Sequence, residues 1–163
     1  MSFWKATFER SAESVPDRVE RGVAYQFGAP ATDHQLGLLS GHLGSAVPSD
    51  LRAMLQEFDG VEIRDKYWGP SWQPLYLSVD QMLHDVPEYV GTSGNPVPPL
   101  EELASVAFFA HQNGFAELYG VCLRAFSGFG AGDVLVLDHE TGEFARAEDS
   151  LMDFVGSAQY CEL

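Results

Sequence analysis

The stretch "VPSDLRAMLQEFDG", residues 47–60, has the pattern of one short helix packed against a core. Pro48 suits the first helical turn, where its missing N–H costs no hydrogen bond. Gly60 suits the left-handed backbone position that follows a last turn. Between them, apolar residues recur at i, i+3, i+4 and i+7 on one side of the helix, and three polar residues are expected to face away. The apolar residues are Leu51, Met54, Leu55 and Phe58, and the polar ones are Arg52, Gln56 and Glu57.

The patterns on either side of this helix place helices first along the chain and strands later. Asn113-Gly114, between two of the strands, favours a tight hairpin turn. Helices followed by strands are typical of α+β domains, whereas a parallel sheet needs alternating βαβ units. We therefore predict an α+β fold with a largely antiparallel sheet flanked by helices. Helical patterns cover residues 3–14, 33–44 and 78–86, strand patterns cover 75–77, 104–110, 115–124, 133–139 and 144–147, and Asp149 or Ser150 caps a final helix.

The domain organisation depends on one segment near the N-terminus. The length of 163 residues favours one domain. The segment "YQFGAPATD", residues 25–33, has the glycine and proline content of a linker or loop, and it would separate an N-terminal arm from the rest of the chain. The prediction is an N-terminal helical extension at residues 1–25 and a single domain at residues 26–163.

The cysteines, the start of the chain and the apolar runs all favour the cytoplasm. Cys122 and Cys161 make no disulfide framework and fit a reducing compartment. The first residues lack a basic region followed by an apolar stretch, so we expect no signal peptide. No apolar run approaches the roughly 18–20 residues that a membrane span needs. We therefore predict a cytoplasmic protein without a membrane partner.

The charge of the chain is strongly acidic and unevenly placed. There are 24 acidic residues against 9 basic ones, a formal net charge of −15, and none of the excess lies in residues 1–25. No Lys or Arg occurs between Lys66 and Arg124. Such a surface repels nucleic acid and anionic lipid, because phosphate binding depends on Lys and Arg. It attracts a basic protein and speeds the encounter with one, or it serves only to keep the protein in solution.

No motif in the sequence supports a catalytic reaction, a metal or a cofactor. The glycines of "SGFGAGD", residues 127–133, match neither a P-loop nor G-x-G-x-x-G, and no G-x-S-x-G occurs. Asp80 and His84 stand at i and i+4, a spacing that suits a metal-ligand pair or a simple ion pair. We therefore expect no catalytic residue, no metal and no cofactor. A ligand bound at Asp80, His84, His111 or His139 would instead favour a small-molecule-binding or catalytic protein.

One longer stretch resembles a known family. In "LGSAVPSDLRAMLQEFDGVE", residues 43–62, Leu-Gly precedes an aliphatic-Pro pair, an acidic residue and an apolar-striped helix that ends in Asp-Gly. This pattern resembles the signature of the SUKH superfamily, which contains the Smi/Knr-like domain of the yeast cell-wall synthesis regulator. An aromatic loop, "LYLSVDQM" and "AEDSLMDFV" follow in the family's order, so the resemblance covers residues 33–156. It departs from the pattern at Val47, Asp59 and Val61, where Leu, Asn and Gly are usual.

The resemblance implies the SUKH fold and a non-enzymatic protein-binding domain. Bacterial members resemble immunity proteins of polymorphic and contact-dependent toxin systems, which bind and neutralise a cognate toxin, often a nuclease. A nuclease holds a polyanion in a basic cleft, and an acidic protein can occupy such a cleft. The alternative is a cytosolic regulatory or scaffold module of the same fold, as in the yeast relatives.

The loop that follows the helix at 47–60 is the predicted binding surface. It combines acids with aromatic residues, and the rings either pack beneath the loop or stand exposed as binding anchors. Charge would then set the rate of encounter, and buried rings would slow dissociation. The residues expected to bind the partner are Glu57, Asp59, Glu62, Asp65, Tyr67, Trp68 and Trp72.

Overall fold

A seven-stranded antiparallel sheet forms the centre of the computed structural model, which describes residues 2–67, 69–92, 94, 96–112 and 116–161. Each strand pairs with the next one in chain order, so the first and the last strand form the two edges. The prediction of an α+β fold with an antiparallel sheet flanked by helices is confirmed. The strands are β1 (Ala24–Phe27), β2 (Val61–Arg64), β3 (Gln73–Tyr76), β4 (Val106–Gln112), β5 (Glu117–Cys122), β6 (Val134–Asp138) and β7 (Glu143–Glu148).

The helices cover the sheet and pack against one another. Every side chain of β4 from Val106 to His111 is buried, so both faces of the sheet are covered at this strand. The first helix contacts the fourth and the last, and the third contacts the fifth. The helices are α1 (Phe3–Glu13), α2 (Arg18–Arg21), α3 (Asp33–Leu43), α4 (Ser49–Glu57), α5 (Val79–Thr92), α6 (Leu100–Leu103) and α7 (Leu151–Val155), and a 3₁₀ turn follows at Ala158–Tyr160.

The N-terminal segment belongs to the same hydrophobic core as the rest of the chain. Trp4, Phe8 and Ala12 recur at i, i+4 and i+8 on α1, and all three are buried. The ring of Phe8 meets the ring of Tyr76 of β3 edge to face, with centroids 5.3 Å apart. Residues 25–27, predicted as part of a linker, instead lie in β1, so the predicted boundary after residue 25 falls inside a strand. Sequence periodicity could not reveal this, because a four-residue strand is too short to show a pattern.

The helix predicted within residues 47–60 is α4, and its apolar stripe is buried as expected. Leu51, Met54 and Leu55 are all inaccessible. The helix ends at Glu57, because Phe58 takes an extended backbone while its ring stays in the core. Gly60 has a φ of 91° and belongs to the turn into β2. The Asp59-Gly60 turn is therefore a connection from helix to sheet.

Some element bounds differ from the sequence predictions. The helix predicted at residues 78–86 continues as α5 to Thr92, because Pro87 is accommodated inside it. Leu100–Leu103, a segment with no predicted helix, forms α6. Ser150 rather than Asp149 caps α7, since its hydroxyl accepts a hydrogen bond from the Asp153 N–H at 3.2 Å. The predicted turn at Asn113-Gly114 lies outside the described residues. No helix in the described part of the chain is long and apolar enough to cross a membrane.

Candidate functional site

Glu57, the first of the predicted binding residues, caps the N-terminus of α1. Its carboxylate accepts hydrogen bonds from the N–H groups of Phe3, Trp4 and Lys5 at 2.8, 2.7 and 3.1 Å, and from the Ser2 hydroxyl. These amides have no partner inside the helix, and a negative charge at a helix N-terminus is favourable. Burial alone would raise the pKa of Glu57, but the hydrogen bonds from Ser2 and the three amides hold the pKa below its ordinary value. Glu57 was predicted to face away from the core. Instead, its carboxylate contacts the N-terminus of α1.

We expect Glu57→Ala to lower the free energy of unfolding by about 1–2 kcal/mol, because it removes the cap of α1. The depressed pKa means that the carboxylate stabilises the fold fully above its ordinary pKa near 4.5, and that this stabilisation is lost as the pH falls through the lower pKa of the folded state. Urea unfolding at pH 7 and at pH 3 measures both effects. The matched control is Gln56→Ala, at an exposed position of the same helix. Equal costs for the two variants at pH 7 would contradict the capping role.

Asp59 joins the α4–β2 turn to the start of α5. One carboxylate oxygen accepts from the Val79 N–H at 2.7 Å, and the other accepts from the Gln35 side-chain amide at 3.3 Å. Burial raises the pKa of Asp59, the bond from Val79 lowers it, and the charge of Asp80 raises it, with a net rise above the ordinary value. Asp59 is therefore a helix-capping residue that holds three segments together.

Asp65 is buried against Arg21. Its side chain is inaccessible, and one carboxylate oxygen lies 2.7 Å from Arg21 Nε and 2.5 Å from Arg21 Nη2. The other oxygen accepts from the Tyr67 N–H at 2.9 Å. The pair fastens α2 to the end of β2, so the Asp65 carboxylate is not available at the surface.

The remaining residues of the predicted patch have cations beside them. Glu62 is half-buried on β2, and Tyr67 is 71% exposed. The Arg64 guanidinium lies 5.0 Å from the ring centroid of half-buried Trp72, and the Lys66 ammonium lies 5.3 Å from that of Tyr67. These distances suit cation–π contacts. Three of the four acids thus make contacts within the fold while Arg64 and Lys66 stay exposed, which is the reverse of the expected arrangement. Trp68 lies outside the described residues.

A second group of exposed acids lies on the second half of the fold, outside the predicted patch. They occupy the outer sides of α5 and α6, the β6–β7 hairpin, and the segment around α7. The chain has no Lys or Arg between Lys66 and Arg124, and Arg124 lies beside α6, where its Nη2 donates to the Glu101 carbonyl oxygen at 3.3 Å. The exposed acids of this half are Asp80, Asp85, Glu88, Glu101, Asp138, Glu140, Glu143, Asp149 and Asp153.

An apolar groove with a volume of about 560 Å³ lies between α3, α5, α6 and β4. Val86 of α5 and Phe108 of β4 line it and are almost fully buried, whereas Val97 and Leu100 line it and are 46% and 83% exposed. The groove thus opens to the surface beside solvent-exposed apolar side chains. Large exposed apolar side chains next to an apolar cavity are typical of binding surfaces.

The sequence contained part of the signal for this groove. Val79, Met82 and Val86 share one face of the predicted helix, and Val90 continues it beyond Pro87. The helix predicted at residues 78–86 stopped before Pro87, so Val90 lay outside it. Nothing in the sequence indicated that Leu100 would remain exposed beside this face, because its exposure depends on how α6 packs.

The titratable residues that would favour a small-molecule or catalytic site lie in separate places. His84 and Asp80 form an exposed pair with 3.7 Å between Nε2 and Oδ1. His111 is buried in β4, where burial lowers its pKa to about 4. His139 Nδ1 lies 2.6 Å from the Ala116 carbonyl oxygen. Within the described ranges, no three acids, histidines or cysteines are grouped to hold a metal ion.

Comparisons with known proteins found no relative of this chain that would indicate its function. No protein-family model matches the chain, and no curated protein matches it. The resemblance to the SUKH superfamily stays a prediction from the residues at 33–156.

Proposed function

We propose that this protein is a non-enzymatic protein-binding domain of the SUKH type, an immunity protein that neutralises a basic cognate toxin in the cytoplasm. The single observation that carries the proposal is the distribution of charge. Residues 67–163 contain 14 acidic and 2 basic residues, and nine of the 13 acids that the structure describes are exposed. A surface of this sign attracts a positively charged protein and repels nucleic acid and anionic membranes.

The chemistry of a nuclease toxin fits such a surface. A nuclease binds phosphates through Lys and Arg, so the surface around its cleft is basic. An acidic inhibitor is drawn to that cleft, and opposite charges raise the rate of encounter. Protection requires a dissociation constant near or below nanomolar, which corresponds to a binding free energy on the order of −12 kcal/mol. Charge alone does not supply this affinity, because exposed ion pairs contribute little and buried apolar anchors contribute most.

The binding surface in this proposal lies on the α5–α6 side. The original loop candidates Glu57, Asp59 and Asp65 are engaged inside the fold. Glu62, Tyr67 and Trp72 remain partly accessible, but Arg64 and Lys66 lie among them. These two cations would repel a basic partner. On the α5–α6 side, the four exposed acids Asp80, Asp85, Glu88 and Glu101 outnumber Arg124, which donates to the Glu101 carbonyl oxygen at 3.3 Å.

The first experiment is co-expression with the effector encoded by the neighbouring gene. We expect the wild-type protein to restore growth and to co-purify with the effector. Growth arrest that persists at equal expression, together with no complex, would reject the immunity function. Binding to a partner unrelated to toxins would favour the regulatory or scaffold module.

The second experiment tests the role of charge in that complex. The triple variant Asp80→Asn, Asp85→Asn, Glu101→Gln removes three exposed acids of the α5–α6 side. We expect its association rate at low salt to fall by about tenfold, and the difference to shrink as salt rises. The control, Glu13→Gln, Asp17→Asn, Glu20→Gln, changes the net charge equally at exposed positions near α2. Equal rates for the two variants would mean that overall charge, and not this surface, guides binding.

A further inference from the structure

The apolar groove between α3, α5, α6 and β4 has the shape and lining of a slot for a helix. Met82, Val86 and Val90 follow one another along it at i, i+4 and i+8 of α5. Eight residues of helix rise about 12 Å, which is a little more than two turns. A bound amphipathic helix uses anchors at i, i+3 or i+4, and i+7, which span a similar length.

The lining of the groove excludes most polar ligands. His42 is the one titratable side chain among its described lining residues, and the others named above are aliphatic or aromatic. Binding sites for small polar molecules need several convergent polar groups to fix orientation. This groove offers burial of apolar side chains, at roughly 25 cal/mol for each Å² removed from water.

The acids around the groove favour a bound segment that carries positive charge beside its apolar anchors. α5 carries exposed Asp80, Asp85 and Glu88, and α6 carries exposed Glu101. These two helices form walls of the groove, and their four exposed acids outnumber Arg124, which donates to the Glu101 carbonyl oxygen at 3.3 Å. An anionic lipid or fatty acid would be repelled by these acids. A second copy of the chain would bring another net charge of −15 to the same place.

We propose that the groove is the docking site for an amphipathic helix of the protein partner, with apolar anchors on one face and Lys or Arg on its flanks. The anchors enter between α5 and the exposed side chains of Val97 and Leu100, and the basic flanks meet the acids of α5 and α6. This inference rests on the proposed function, because it names the surface that holds the basic partner. In this proposal, burial of the apolar anchors in the groove supplies most of the affinity, and the surrounding acids raise the rate of encounter.

A synthetic peptide tests the groove without the natural partner. The probe is a helical peptide of about 14 residues with Leu at i, i+4 and i+7 and Lys at the flanking positions. The comparison peptide has Glu in place of every Lys. We expect the Lys peptide to shift the backbone amide NMR signals of α5 and α6, and the Glu peptide to bind at least tenfold more weakly.

Two variants with the same charge change locate the site. Leu100→Lys places a cation on the groove, and Val19→Lys places one at a 93% exposed apolar residue of α2 that does not line it. Both positions are exposed, so neither change removes a core side chain. We expect Leu100→Lys to raise the dissociation constant of the Lys peptide at least tenfold, and Val19→Lys to change it less than twofold. Thermal unfolding of both variants verifies that they are folded.

Three results would overturn the proposal. The first is that Leu100→Lys and Val19→Lys weaken the peptide equally, or that the shifted signals lie outside the groove. The second is that neutral 1-decanol shifts the groove signals while the Lys peptide does not, which would make it a pocket for small apolar molecules. The third is that the groove signals shift with protein concentration alone, which would make it a contact between copies.

Co-expression separates this inference from the proposed function. If the wild-type protein neutralises the toxin and Leu100→Lys protects equally well, then the groove assignment is wrong and the immunity function stands. If the Lys peptide occupies the groove but no effector is neutralised, then the groove assignment stands and the immunity function is wrong.

Discussion

Gly28→Ala is expected to destabilise the protein by about 3 kcal/mol or more, which corresponds to a fall of roughly 6–12 °C in the melting temperature. A Cβ atom on Gly28 would lie 2.1 Å from the carbonyl oxygen of Asp59 and 2.9 Å from its carbonyl carbon. Both contacts are with backbone, so no side chain can turn away to relieve them. Hydrogen bonds hold the two segments together, from Gly28 N–H to the Gly60 oxygen at 3.0 Å and from Asp59 N–H to the Ala29 oxygen at 3.1 Å.

The control for this prediction is Gly37→Ala in the middle of α3. A Cβ there meets no atom within 4 Å, and alanine is the better helix former. We expect this variant to gain about 0.5–1 kcal/mol, because glycine loses more backbone freedom on folding. Urea unfolding of both variants measures the contrast. A Gly28→Ala protein as stable as wild type would show that the α4–β2 turn lies further from residue 28 in solution.

Arg21→Met is expected to lower the free energy of unfolding by about 3–5 kcal/mol. The substitution keeps a long side chain but leaves the inaccessible Asp65 carboxylate without its cation. Water cannot reach that carboxylate in the folded state, since its side chain is fully covered. An uncompensated buried charge costs far more than a broken ion pair at the surface. The measurement is urea unfolding at pH 7 at low and moderate salt.

A double-mutant cycle tests the cause of that loss. Arg21→Met combined with Asp65→Asn removes both charges, and we expect this protein to be more stable than Arg21→Met alone. Arg18→Met is the control, because the Arg18 guanidinium lies over the Tyr25 ring at 5.3 Å and faces no buried acid. Its expected cost is about 1 kcal/mol or less. If Arg18→Met and Arg21→Met cost the same, the Asp65 carboxylate does not depend on Arg21.

Local patterns in the sequence predicted the elements that depend on nearest neighbours. The apolar stripe of Leu51, Met54 and Leu55 gave α4 its buried face, since residues three and four apart share one side of a helix. The strands β4, β5 and β6 were found because their apolar runs are bounded by glycine-containing turns. The helical pattern predicted at residues 33–44 gave the start of α3 correctly, but it did not reveal the capping box between Thr32 and Gln35 that precedes it.

The sequence did not indicate which acids would be available to a partner. Glu57 binds amides more than 50 residues earlier in the chain, and Asp65 pairs with Arg21, 44 residues away. Periodicity says which face of an element is apolar, but not which element will lie against its polar face. The candidate patch at residues 57–72 therefore included three acids that the fold uses for its own contacts.

The amino-acid sequence by itself determined the α+β class, the main apolar faces and a net charge of −15. Only the tertiary structure decided that Glu57, Asp59 and Asp65 make contacts within the fold, and that α5 and α6 bring acids and an apolar groove to one surface. The physical reason is the distance along the chain between the residues whose contacts decide each property. Helix and strand patterns arise from contacts between residues two to four positions apart, whereas the availability of a charge depends on contacts across the whole fold.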